Sequence, residues 1–373
     1  MTESGTKSVE RLASHRRKEL SCAGDWVEIR SKEEILRTLD ESGKLEGMPF
    51  MPEMLEYCGK RFRVAKRAHK NCDPMNPIST RHLPNSVLLD NLRCSGQAHD
   101  GCQAACSIFW KQAWLKPVGT EATSGGTGSH RASSACTADD LVKGARQVSS
   151  DGKIKYNCQA TGFPHYTTLI RSHNFDQLVE DITSGNVSLA EFIRTMTFIL
   201  YERLASPAAR PLFRRIYDGF QRVWGGVPYP RMPGMHPDPK NAPVNALDLQ
   251  PSELVRVKSY EEILKTIGSD MTHRGMVFDA EMVPYCGGVF RVRSRVENFI
   301  DERTGYMRKM KTPAVILENV WCRSHFSFGR LFCPRAIYIW WREAWLERAT
   351  DATCETTKDA LGARVILKSL RRM

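Results

Sequence analysis

The sequence lacks any long apolar run. Its longest, AIYIWW at residues 336–341, is far shorter than the roughly 20 residues that a membrane span needs. Residues 1–20 are polar and basic without an apolar h-region, so we expect no secretory signal and a cytoplasmic location. Cys-x-x-Cys, His-Glu-x-x-His, Gly-x-Gly-x-x-Gly, Gly-x-Ser-x-Gly and phosphate-loop motifs are all missing from the sequence. We therefore predict no membrane partner, and no familiar motif assigns a reaction.

Composition is otherwise that of a globular protein, with 41% apolar and 26% charged residues among 373, enough for two or three domains. Lysine and arginine number 54 against 42 acidic residues, for a net charge of +12. This charge is spread along the chain and predicts an acidic macromolecule or partner protein, nucleic acid included. The twelve cysteines favour metal binding or redox work in a reducing compartment, and disulfides would require an oxidising one.

An internal repeat organises the chain. Residues 27–64 align without a gap on residues 255–292, at an offset of 228, with 18 of 38 positions identical. Beyond this block, Cys94 aligns with Cys322 and, after a three-residue insertion, Cys102 aligns with Cys333. The sequence therefore predicts a duplicated module of about 100 residues.

Each module combines short strand patterns with glycine turns and one small helix. In the first module, Ser31 and Glu34 form a capping-box pattern that begins a short helix. We predict an α+β protein with two tandem, small, β-barrel-like modules of SH3-like type and a helical insert between them. Four repeated tryptophans are interpreted as core residues, with base stacking as the alternative: Trp110, Trp114, Trp341 and Trp345.

Composition shifts along the chain predict its organisation. Ser188 and Glu191 form a second capping box in the helical insert, and seven of the nineteen prolines lie between residues 225 and 251. The expected segments are a basic flexible tail (1–22), module 1 (23–118), a Gly/Ser-rich linker (119–150), a helical insert (151–224), a Pro-rich tether (225–251) and module 2 (252–373).

The densest group of potential metal ligands is CSGQAHDGCQAAC at residues 94–106. Three thiols and one imidazole within thirteen residues suit a tetrahedral metal site. In module 1 we predict ligands at Cys94, His99, Cys102 and Cys106, with Cys58 near. In module 2, where Ile337 replaces Cys106, the predicted ligands are Cys286, Cys322, His325 and Cys333. As an alternative, Cys58 and Cys286 are small buried hydrophobic residues.

Zinc is the favoured metal, because it accepts mixed Cys and His ligands. An iron–sulfur cluster, which usually requires four thiolates, is the alternative. The acidic residue of the repeated pairs Glu53-Met54 and Glu281-Met282 is interpreted as a buried salt-bridge or turn residue rather than a catalytic one.

The motifs PFMPEM-x2-YCG and C-x4-H-x2-C-x3-C, which lie in GMPFMPEMLEYCGKRFRV and RCSGQAHDGCQAACSIFWKQAWL, resemble an uncharacterised bacterial family with no assigned activity. The resemblance covers most of module 1 and implies no mechanism. Our leading hypothesis is a cytoplasmic metal-binding accessory or scaffold protein. The alternatives are an iron–sulfur or thiol redox enzyme of a biosynthetic pathway, and a nucleic-acid-binding protein that uses paired basic barrels.

Overall fold

The structure is a computed structural model that describes residues 21–76, 78–118, 136–170, 175–204, 210–224 and 226–349. The predicted basic tail up to residue 20, the first part of the Gly/Ser-rich linker (119–135) and the end of module 2 (350–373) lie outside the described residues. The chain divides into two compact units. The first comprises Met1–Phe192, Ile300–Arg308 and Phe332–Arg335, and the second comprises Ile193–Phe299, Lys309–Leu331 and Ala336–Met373.

The protein is of mixed α+β type, with mostly strands arranged in small antiparallel sheets. In chain order the strands are β1 (Trp26–Ile29), β2 (Lys44–Leu45), β3 (Met48–Pro49), β4 (Arg61–Arg67), β5 (Lys70–Cys72), β6 (Thr80–His82), β7 (Ser86–Arg93), β8 (Ser107–Lys111), β9 (Leu115–Pro117), β10 (Arg146–Val148), β11 (Ile154–Tyr156), β12 (Thr168–Ile170), β13 (Leu254–Val257), β14 (Thr272–His273), β15 (Met276–Val277), β16 (Val289–Ile300), β17 (Met307–Trp321), β18 (Tyr338–Trp341) and β19 (Leu346–Arg348). The α-helices are α1 (Lys32–Leu36), α2 (Ala138–Gly144), α3 (Gln159–Gly162), α4 (Phe175–Thr183), α5 (Leu189–Leu204), α6 (Arg210–Trp224) and α7 (Tyr260–Leu264).

The first unit is built on a five-stranded sheet with the order β8-β7-β4-β1-β9. Strand β1 pairs antiparallel with both β4 and β9, so it lies between these two strands in the sheet. A register shift near Val64 and Lys66 interrupts the β4–β7 pairing, and such bulges bend a strand and increase its twist. A three-stranded sheet (β12-β6-β5) and the pairs β10-β11 and β2-β3 complete the unit.

The second unit contains a five-stranded sheet with the corresponding order, β18-β17-β16-β13-β19. Strand β13 pairs antiparallel with β16 and β19. The small helix predicted for each module is present. Ser31 forms a capping box with Glu34, and Ser259, the equivalent of Ser31 in the repeat, forms one with Glu262. The repeat seen in the sequence is therefore also present in the order of the elements.

Aromatic side chains form the centre of each core. In the first unit, Phe50 contacts Trp114 edge-on at 5.1 Å, and the Trp114 indole donates a hydrogen bond to Thr38 at 3.1 Å. In the second unit, Phe278 and Trp345 make the same contact at 5.4 Å, and the Trp345 indole again donates to a threonine hydroxyl at 3.1 Å. All four repeated tryptophans are fully buried, so their prediction as core residues is confirmed.

The segment predicted as a helical insert (151–224) contains helices α3, α4, α5 and α6, but it also contains strands β11 and β12. Helix α5 begins after Ser188, whose hydroxyl accepts the Glu191 N–H as the capping-box pattern predicts. The Pro-rich segment that follows has no helix or strand among its described residues. It is nevertheless held to the second unit, because the Glu343 carboxylate accepts the N–H groups of Leu247 and Leu249. The segment is therefore packed chain rather than a free tether.

Candidate metal centre

The loop after β7 brings two of the predicted ligands of module 1, Cys94 and His99, together through a tight turn. Gly96 has a φ of +74°, and a Cβ added there would lie 2.0 Å from the Cys102 carbonyl oxygen. The Gly96 carbonyl accepts the N–H groups of His99 and Gly101, both at 3.0 Å. Glycine is thus required by the left-handed backbone and by the close approach of two backbone segments. The turn places His99 on the same side as Cys94.

A second element supplies a carboxylate to this turn. Glu53 lies in a 3₁₀ helix, Pro52–Tyr57. The Cys94 thiol donates to Glu53 Oε1 at 2.9 Å, and His99 Nδ1 lies 3.2 Å from the same oxygen. One ligand atom from each of the three side chains lies within 4.8 Å of the others. Sulfur, nitrogen and oxygen donors therefore converge at one point in the first unit.

Two members of this cluster, Glu53 and His99, are buried, and their polar atoms are not all satisfied. Glu53 is 8% exposed and His99 is 1% exposed. Among the described residues, Glu53 Oε2 and His99 Nε2 have no hydrogen-bond partner, and His99 Nδ1 has an ion-pair distance to Glu53 without hydrogen-bond geometry. A buried polar atom left unpaired costs about 1–3 kcal/mol. Glu53 Oε2 and His99 Nε2 are therefore buried polar atoms whose capacity to bind a hydrogen-bond partner or a metal ion is unused.

The charges of the cluster depend on one another. Burial raises the pKa of Glu53, but the adjacent His99 and Cys94 outweigh burial and hold that pKa below its usual range. Burial and the Glu53 carboxylate raise the pKa of the Cys94 thiol. The carboxylate is thus ionised while the thiol keeps its proton, which a metal ion would displace on binding.

The other predicted ligands of module 1 lie outside this group of three, as far as the described residues show. The Cys102 sulfur accepts the N–H of Ile300 at 3.4 Å. The backbone carbonyl of Cys106 accepts the N–H of Cys94 at 2.9 Å, and burial raises the pKa of the Cys106 thiol. Cys58 follows the 3₁₀ helix of Glu53 and is half-buried, which also raises its pKa. The structure therefore brings together Cys94 and His99 from the predicted set.

The predicted ligands of module 2 have different surroundings. The Cys322 sulfur lies 3.3 Å from the Ser324 hydroxyl, and the Cys286 thiol approaches a backbone carbonyl at 4.0 Å. His325 offers its backbone N–H to the carboxylate of Glu281 at 3.1 Å. Cys333 lies in the first unit. Within the described residues, these side chains do not form a group of three close ligand atoms.

Glu53 is the member of this cluster that was not predicted from the sequence to be a metal ligand. Its sequence signal was present, because the pair Glu53-Met54 recurs as Glu281-Met282 in a proline-containing apolar stretch. An acidic side chain in such a stretch is buried only when it has a partner. The partners of Glu53 are distant in sequence, 41 residues away in the case of Cys94.

Comparison of the chain with protein-family models, with curated proteins and with solved structures finds no match. Over the described part of the chain, no helix has both the length and the apolar character that crossing a membrane requires.

Proposed function

We propose that this protein binds a metal ion through Glu53, Cys94 and His99, and that the ion is zinc. One observation carries the proposal: the side chains of Glu53, Cys94 and His99, two of them buried and one half-buried, bring different ligand atoms within 4.8 Å of one another, and His99 Nε2 and Glu53 Oε2 have no other partner among the described residues. A hydrogen-bonded cluster with only a structural role would leave fewer of its buried polar atoms without a partner.

The chemistry of the donors favours zinc over an iron–sulfur cluster. Zinc is bound by cysteine sulfur, histidine nitrogen and carboxylate oxygen, most often four-coordinate. Iron–sulfur clusters are usually held by four thiolates, and Cys94 is the one thiol of the described ligand group. Zinc would hold the Cys94 sulfur as the thiolate and would neutralise the two negative charges.

The position of the site supports an accessory or scaffold role. The ion would connect the 3₁₀ helix of Glu53 to the loop that carries Cys94 and His99. Small domains gain folding free energy directly from such a metal. The deep burial of His99 and Glu53 leaves little access for a substrate, which favours a structural ion over a catalytic one.

We extend the proposal to the modules and their setting. The first strand of each five-stranded sheet pairs with the last strand, and a 3₁₀ turn precedes that last strand (Gln112–Trp114 and Glu343–Trp345). This arrangement supports the SH3-like interpretation.

The net charge of +12 supports an acidic macromolecular partner. The free thiols of the described cysteines fit a reducing, cytoplasmic compartment.

The metal proposal is tested by elemental analysis of anaerobically purified full-length protein. We expect about one zinc per chain, and its loss in Glu53→Gln and Cys94→Ser. The repeat provides matched controls, because Glu281→Gln and Cys322→Ser change the equivalent positions and should keep the zinc. Far-UV circular dichroism establishes that each variant is folded. Absence of zinc from the folded wild type after reconstitution, or equal loss in the control variants, would overturn the proposal.

A further inference from the structure

Two cysteines that are 261 residues apart in sequence meet in the first unit. Cys72 ends strand β5, and Cys333 lies in the segment Phe332–Arg335. The Cys72 N–H donates to the Cys333 sulfur at 3.1 Å. The sulfur of Cys333 therefore lies beside the backbone of Cys72, and each thiol changes the pKa of the other. Neither cysteine belongs to the proposed metal site.

A buried arginine lies beside this pair. Arg335 is 4% exposed and forms an ion pair with Glu302 at 3.3 Å. Its guanidinium lies 3.9 Å from the Cys72 sulfur and packs over the Phe163 ring at 5.1 Å. The ion pair and the ring fix the guanidinium in place, so its positive charge acts on the two sulfurs.

The pKa values of the two thiols are shifted in opposite directions. Burial raises the pKa of Cys333, but the neighbouring Cys72 thiol, the Arg335 charge and the backbone N–H groups of Cys72 and Arg335 outweigh burial and lower it. The neighbouring Cys333 sulfur, together with burial, raises the pKa of Cys72. The proton therefore stays on Cys72, and Cys333 is the sulfur that carries thiolate character. Other buried thiols, such as Cys106 and Cys158, have their pKa raised by burial instead.

We propose that Cys72 and Cys333 form a peroxide-reactive thiol pair that is converted to a disulfide. The Cys333 thiolate attacks one oxygen of hydrogen peroxide, the O–O bond breaks, and a sulfenic acid and hydroxide form. Hydroxide takes the proton of the Cys72 thiol and becomes water. The Cys72 thiolate then attacks the Cys333 sulfur, the S–S bond forms and hydroxide leaves. Two electrons pass from the sulfurs to the peroxide, which is reduced to one water and one hydroxide.

This chemistry suits the geometry of the pair. Thiolates, not thiols, are the nucleophiles, and nearby positive charge increases their fraction at neutral pH. Cys333 is 4% exposed and Cys72 is half-buried, so a small oxidant such as hydrogen peroxide is better suited to reach them than a protein or a bulky disulfide. The second cysteine is already adjacent to the sulfur that it must attack, because its backbone N–H donates to that sulfur.

The test uses the full-length protein treated with less than one equivalent of hydrogen peroxide, then digested without reduction and analysed by mass spectrometry. We expect a Cys72–Cys333 linked peptide as the first product, formed about tenfold faster than Cys58 is oxidised. Cys58 is the internal comparison, because it is half-buried and burial raises its pKa. This time course uses the wild type and does not depend on the folding of a variant.

Two variants sharpen the result. Cys333→Ser should abolish the linked peptide and leave Cys72 no more reactive than Cys58. The matched control Cys106→Ser removes a neighbouring buried thiol and should leave the linkage unchanged. The proposal is overturned if Cys58 is oxidised first, or if Cys72 or Cys333 first forms a disulfide with another cysteine.

Discussion

Glu53 and Glu281 occupy the same position in the two copies of the repeat, but their carboxylates have different partners. The Glu53 carboxylate contacts the side chains of Cys94 and His99. The Glu281 carboxylate accepts the backbone N–H groups of His325 and Phe326, at 3.1 and 2.6 Å. Each oxygen of Glu281 thus has a backbone N–H partner. One copy of the module thus keeps a set of free ligand atoms, and the other uses the same residue to hold a loop.

Glu281 should make stability depend on pH. Burial raises the pKa of this carboxyl from 4.5 to about 7, so the folded state holds the proton more tightly than the unfolded state. Its contribution to stability is present at low pH and is lost as the pH rises from about 4.5 to about 7, by on the order of 3 kcal/mol. Glu281→Gln should remove this part of the pH dependence.

Urea unfolding of the wild type and Glu281→Gln at pH 5 and pH 8 measures the effect. Glu261→Gln is the matched control, because that side chain is exposed on helix α7. If Glu281→Gln and Glu261→Gln retain the same pH dependence as the wild type, Glu281 does not titrate in this range.

Asp181 should be essential for the stability of the first unit. This fully buried carboxylate accepts a hydrogen bond from the Lys70 ammonium through Oδ2, and its Oδ1 lies 3.1 Å from His69 Nε2. Asp181→Ala leaves the buried Lys70 charge unpaired and should lower the free energy of unfolding by about 3–5 kcal/mol. Asp176→Ala, an exposed position on the same helix α4, should change it by less than about 0.5 kcal/mol. Chemical denaturation that finds similar values for both variants would contradict this role.

The loop glycine should be required for metal binding. Gly96→Ala places a Cβ 2.0 Å from the Cys102 carbonyl oxygen, so the loop that carries His99 must shift. We expect loss of most of the zinc. Gly101→Ala is a matched control, because Gly101 also has a positive φ but has no atom within 4 Å of the added Cβ. That variant should cost only about 1–2 kcal/mol of strain and keep its zinc. Equal zinc content in both variants would show that the loop geometry does not set the site.

The threonine–tryptophan hydrogen bonds should contribute similarly in the two units. Thr38→Val leaves the buried Trp114 indole N–H without its acceptor, and Thr266→Val does the same to Trp345. Each variant should lower the free energy of unfolding by about 1–3 kcal/mol. Thr197→Val, at an exposed position of helix α5, serves as control in the same denaturation experiment. A loss no greater than that of the control would mean that the indole finds another acceptor.

Features encoded by local or repeated sequence could be predicted. The repeat indicated the duplicated order of elements, and the capping residues Ser31 and Ser188 marked helix starts that the structure contains. The close spacing of Cys94 and His99 indicated that one turn could bring them together. Such signals are strong because few residues separate the groups that interact.

Features that depend on distant contacts could not be predicted. Glu53 joins Cys94 and His99 through the packing of its 3₁₀ helix on a loop about 40 residues later, and a lone glutamate in a turn has many other roles. Cys333 aligns with Cys102 in the repeat, yet its sulfur accepts the N–H of Cys72, a cysteine with no counterpart in the second copy. The segment Phe332–Arg335 belongs to the first compact unit. No periodic pattern in the sequence predicts that this segment joins that unit.

The most direct test of the central claim is X-ray absorption spectroscopy at the zinc edge of the anaerobically purified protein. We predict a shell with one sulfur at about 2.3 Å, from Cys94, and nitrogen and oxygen ligands at about 2.0–2.2 Å, from His99 and Glu53. Cys94→Ser should remove the sulfur contribution, and Cys322→Ser should leave it unchanged. A zinc shell with several sulfurs or with none in the wild type would contradict the assignment of this site.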